Sequence, residues 1–156
     1  MNIIAEGLLF PEGPIAMPDG SIVLVEIARG TLSRVTAAGS VEVIAELGGG
    51  PNGAAIGPGG ECYVCNNGGM TFHRSSAGLL YPGGQPDDYM GGCIQRVNLQ
   101  TGEYDTIYTE CDGVALRGPN DIVFDEHGGF WFTDHGKVRD RERDVTGVFY
   151  ARSDGS

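Results

Sequence analysis

Positive charge is scarce in this 156-residue chain: ten Lys and Arg stand against 21 Asp and Glu, for a net charge of −11. A phosphate backbone or an anionic bilayer needs a basic patch, and none is visible, so nucleic-acid and membrane-surface partners are excluded. No segment approaches the ~20 apolar residues that span a bilayer. The start, Met1-Asn-Ile-Ile-Ala-Glu, has neither the basic residues nor the apolar stretch of a signal peptide, and the chain reads as soluble and cytoplasmic. Cysteine is limited to four residues. Cys62 and Cys65 have C-x-x-C spacing, but no second pair follows, and strand residues three apart point to opposite faces. The thiols read as buried, reduced and inert. No Gly-x-Ser-x-Gly nucleophile elbow is present. Gly48-Gly-Gly-Pro-Asn-Gly53 leads into a strand, so it lacks the helix that a phosphate-binding glycine loop requires.

Glycine is abundant, at 27 residues, and clusters at the ends of apolar runs, where it marks tight turns in an all-β chain. A 16-residue pattern occurs three times: Pro11–Glu26, Pro51–Asn66 and Pro119–Asp134. Each copy is a short apolar run, a Gly-containing turn and a β-branched or aromatic run, which predicts a β-hairpin. The second residue is always polar (Glu12, Asn52, Asn120), and so is the last (Glu26, Asn66, Asp134). The expectation is that each hairpin brings its two polar positions together, placing six polar side chains on one face.

A second hairpin follows each of the first two copies, making four-stranded units of about 40 residues, the signature of a β-propeller. The expected organisation is a single partial propeller over residues 1–156: a strand at 2–8, a blade at 11–47, a blade at 51–110 with an insertion at 68–92, and an incomplete blade at 119–156. The insertion lies at the polar end and reads either as a pocket wall or as a variable loop. Three blades cannot close a ring. Two accounts stand: half of a chain about twice as long, or two copies about a twofold axis, the strand at 2–8 of each completing the third blade of the other.

Pro11-Glu-Gly-Pro14, Gly50-Pro-Asn-Gly53, Cys65-Asn-Asn-Gly-Gly69, Gly118-Pro-Asn-Asp-Ile-Val-Phe-Asp125 and Phe130-Trp-Phe-Thr-Asp134 together resemble the N-terminal half of the gluconolactonase/senescence-marker-protein-30 family. The resemblance implies a six-bladed propeller that hydrolyses a sugar lactone or related ester with a divalent metal in its tunnel, Ca²⁺ first, with Mg²⁺, Mn²⁺ or Zn²⁺ as alternatives. It implies metal ligation by Glu12 and Asn120, with further ligands beyond residue 156. The family's Arg two residues before that Asn is replaced by Gly118, with Arg117 one position earlier, so sugar contacts do not carry over.

One carboxylate with amide oxygens suits a hard cation, which polarises a carbonyl and lowers the pKa of bound water. A carboxylate beside it would act as base or nucleophile, and the repeat offers Glu12, Glu26 and Asp134. Asn52, Asn66, Asn120, His73 and His135 are the candidate substrate contacts. Each has a plainer alternative: Glu12 as a polar strand start, Asn120 as a turn cap, Asp134 as an acceptor of backbone N–H groups. Residues 137–144 carry balanced charge and read as a solvated loop. The competing function is a non-catalytic propeller that binds a small ligand or a protein.

Overall fold

Short runs of Val, Ile, Leu and aromatic residues, each ended by Gly, Pro, Asn or Asp, leave strands and tight turns as the way to satisfy the backbone. A computed structural model describes residues 2–145 and 147–156, and among them every regular element is a strand. The first sheet has the order β1 (Pro11–Ala16), β2 (Ile22–Glu26), β3 (Thr31–Val35) and β4 (Val41–Glu46), all antiparallel. The second runs from β5 (Pro51–Ile56) through β6 (Cys62–Asn66) and β9 (Cys93–Val97) to β10 (Tyr104–Tyr108). The third comprises β13 (Pro119–Phe124), β14 (Gly129–Asp134) and β15 (Gly147–Arg152). Thr146, expected in the last strand, lies outside the described residues.

The insertion is not plain loop: it folds into a small hairpin, β7 (Phe72–Arg74) with β8 (Leu80–Pro82). A two-residue pair, β11 (Glu110–Cys111) with β12 (Val114–Ala115), links the second and third sheets. The expected strand at 2–8 does not form. A strand needs a ladder partner, and this segment instead lies along the first sheet, where Arg29 donates to Gly7 O at 3.1 Å and Glu26 accepts from Leu9 N at 2.7 Å.

The apolar core lies between sheets. Val23, Val25 and Leu32 pack against Cys62, Val64 and Val97 between the first two blades; Tyr63, Cys65 and Ile94 pack against Ile122, Phe130 and Phe132 between the second and third. Strand β6 is therefore buried on both faces, and Cys62 and Cys65 serve opposite cores. Burial pushes the Cys62 thiol up to about 12 and Cys65 well above its ordinary value, so both behave as small hydrophobes. No helix among the described residues is long and apolar enough to cross a membrane.

Candidate functional site

The first strands of the three blades, β1, β5 and β13, converge at the centre, and each carries a ladder irregularity at the same place: between Glu12 and Ile15, between Pro51 and Ala54, and between Pro119 and Ile122. A bulge re-aims side chains at a sheet edge, and here it acts on the second residue of every copy. Glycine allows the close approach. A Cβ on Gly13 would lie 2.8 Å from Ala54 N, and one on Gly53 would lie 2.6 Å from Asp121 Cα.

Glu12, Asn52 and Asn120 thereby line one concavity of about 330 Å³ together with Asp121. Asn52 Nδ2 donates to Asn120 Oδ1 at 2.8 Å, so the two amides act as a pair. On the other side of that pair lies a second cavity of about 210 Å³, which Asn52 and Asn120 share with His135, Lys137, Met70 and Gln85. The 68–92 insertion supplies Met70 and Gly83 to Gln85 and is a wall of this cavity.

The last residue of each copy does not join them. Pro11 pairs with Glu26, Pro51 with Asn66 and Pro119 with Asp134; directly opposed residues share a face, so the second and last residues point to opposite sides. Glu26, Asn66 and Asp134 are buried pegs. Glu26 accepts from Leu9 N, from Arg29 Nε at 2.9 Å and from Ser33 Oγ at 2.8 Å. Burial opposes its ionisation most strongly, yet the bonds from Leu9, Ser33 and Arg29 together hold its carboxyl below the usual range. Asn66 Oδ1 accepts from Gly50 N and Gly68 N, while its Nδ2 donates to Gly48 O and Gln95 Oε1. Asp134 accepts 2.7 Å bonds from the N–H groups of Arg117, Gly118 and Gly136. These bonds match the plainer alternative for Asp134, an acceptor of backbone N–H groups, and engage the Glu26 carboxylate and the Asn66 amide in the same way.

His135 lines the smaller cavity, whereas His73 sits exposed on β7 and lines neither concavity. The residue that charge counting missed is Lys137. It is buried where a solvated loop was expected, and its Nζ donates to Gly69 O at 2.6 Å and to Asn67 Oδ1 at 3.4 Å and lies 5.0 Å from the Tyr89 ring centroid. Burial pushes its pKa down to about 8, against the pull of Asp134 and Asp144. The available signal was its solitude, since it is the only lysine in the chain.

As a cation site the arrangement fits in kind and not in number. Glu12 with the Asn52 and Asn120 amides is an oxygen set suited to a hard ion, but the described residues contain no cluster of three His, Cys, Asp or Glu.

Stacked antiparallel sheets, two of four strands and one of three, whose first strands meet around a polar centre define these units as β-propeller blades. The chain belongs to the SMP-30/gluconolactonase/LRE-like family, whose model matches residues 10–156. No curated protein matches it in sequence. Among solved structures it is similar to a gluconolactonase from Xanthomonas campestris, with a TM-score of 0.71 at 20% identity over 98% of this chain and 47% of that one. It is also similar to a structural-genomics target named as a candidate gluconolactonase, with a TM-score of 0.67 at 19% identity, covering 98% of this chain and 49% of that one. The chain thus spans about half the length of these relatives.

Proposed function

We propose that this chain forms one wall of a metal-dependent lactonase site that opens a sugar lactone or related ester. The observation that carries the reading is the meeting of Glu12, Asn52 and Asn120, from three successive blades, in one polar concavity. Family membership supports lactone chemistry in general, and the chemistry of the donors supports a hard divalent cation, Ca²⁺ before Mg²⁺, Mn²⁺ or Zn²⁺. In this reading Glu12 and Asn120 hold part of the ion's coordination shell, and Asn52 orients Asn120 through its amide bond. The ion, when bound, supplies Lewis-acid polarisation of the lactone carbonyl. Asn52 and His135 offer polar contacts to the substrate's hydroxyl groups from the cavity wall.

With Glu26 and Asp134 committed to backbone groups, Glu12 is the one repeat-placed carboxylate free to meet a ligand. The remaining ligands and the base then come from outside this chain, through a complementary half-propeller or a second copy docked on the edge of β15. The test is hydrolysis of gluconolactone by the protein with its complement in place, with metal content measured on the same sample. Turnover lost on chelation, restored by a divalent ion and lowered about 10–100-fold or more in Glu12→Gln supports the reading. Metal-independent turnover, or full activity in Glu12→Gln, sinks it; tight binding of lactone without turnover points to a binding module.

A further inference from the structure

The ten cationic residues include nine arginines and a single lysine, and that lysine is the one placed in the wall of the site. A guanidinium is planar and wide, whereas an ammonium is a compact donor that fits a narrow buried space. The partners of Lys137 Nζ come from the two ends of the insertion. Asn67 and Gly69 stand where the chain leaves β6, and Tyr89 stands just before it enters β9. Each is itself fixed: Asn67 Oδ1 accepts from Gly69 N at 2.8 Å, and Tyr89 Oη donates to Arg117 O at 2.6 Å. Lys137 in turn is anchored through its backbone N–H, which donates to Asp144 Oδ2 at 2.9 Å.

We propose that Lys137 is a positioning residue of the site, its buried Nζ fastening both ends of the 68–92 insertion to the loop after β14, so that the insertion is a fixed wall and not a mobile lid. This holds whatever the site binds. The charged or titratable groups around the amine are Asp134 on β14, His135, Arg139 and Asp144 on its own loop, Tyr89 on the insertion and Arg117 ahead of β13. The Arg139 bond to Asp144 holds that carboxyl below its ordinary value, and burial pushes the Tyr89 phenol up.

The sign of the pH effect follows from linkage. In the clamped state Lys137 titrates near about 8, and once the insertion lifts away it returns to its ordinary 10.5. The clamped state therefore binds fewer protons, so raising the pH favours it, and the open population falls about tenfold between about pH 7 and about pH 9.

Hydrogen exchange at the insertion amides, corrected for the chemical exchange rate, reads this directly. The relevant groups are the N–H of Gly69, Thr71, Tyr89 and Gly92, which are bonded to Asn67 Oδ1, Gly84 O, Pro86 O and Leu116 O. In the wild type their protection should rise about tenfold over that pH range. In Lys137→Ala, and in Tyr89→Leu, it should drop about tenfold or more at about pH 7 while amides of β2 and β3 stay protected, and in Lys137→Ala the rise with pH should vanish. Lys137→Arg should not restore it. Wild-type protection in Lys137→Ala overturns the proposal, and if Lys137→Ala does not fold, wild-type protection in Tyr89→Leu does so.

Discussion

Glu26, Asn66 and Asp134 occupy one place in three hairpins and differ in the charge they bring to it. All three are buried and all accept from the backbone N–H groups just ahead of the first strand of their own blade. Asn66 makes four bonds with a neutral amide, which avoids the cost of a buried charge, whereas Glu26 ionises against burial by drawing on Arg29 and Ser33. Because its carboxyl is held below the ordinary value of 4.5, Glu26 contributes stability that is fully present above that pH and is lost as pH falls through the lower folded value. Glu26→Gln should therefore destabilise the protein by about 1–3 kcal/mol in urea unfolding at neutral pH. The deficit should shrink at about pH 3, and a deficit that grew on acidification would contradict this account.

At the scale of the strand, the three bulged first strands carry the site. Gly53 lies where β5 touches β13, close to the Asn120 carbonyl, and a methyl group there must push backbone and not a flexible side chain. Gly53→Ala should cost about 1–3 kcal/mol or more and separate Asn52 from Asn120, a change visible as loss of metal or ligand affinity beyond the loss of stability. Gly60, whose added Cβ meets nothing within 4 Å but whose φ is +89°, serves as the comparison: its cost is conformational and should leave binding unchanged in the folded fraction.

The repeat itself was legible in the sequence, because Pro, the polar second residue and the β-branched run recur at fixed spacing, and Glu12, Asn52 and Asn120 do share a concavity. The misplacement of the last residue came from parity: opposed residues share a face, and the first residue, not the second, opposes the last. That rule was available from the sequence, given the register. The burial of Lys137 was not, since it depends on contacts with residues 68 and 70 positions away, and the insertion's hairpin, though local, joins strands of only three residues each.

For the molecule as a whole, the cores lie between blades, so each sheet relies on its neighbours for burial. The outer strand of the third sheet, β15, shows Val148 at 66% and Tyr150 at 42% exposure and, among the described residues, pairs as a strand with β14 alone. An open edge beside apolar side chains is a template for pairing. The 16.4 kDa chain, taken alone at micromolar concentration, should sediment as more than one copy if a second copy covers that edge; a monomer at every concentration removes the twofold assembly and leaves the complementary half as the partner.

The pegs at Glu26, Asn66 and Asp134 tie the two ends of each 16-residue copy to each other and not to a neighbouring blade. Each loop that they close is short, its bonded positions 16 or 17 apart in sequence, so its closure entropy is small and local. A unit that closes on itself can nucleate early during synthesis, and its coding segment can be copied in tandem without rewriting the residues next door.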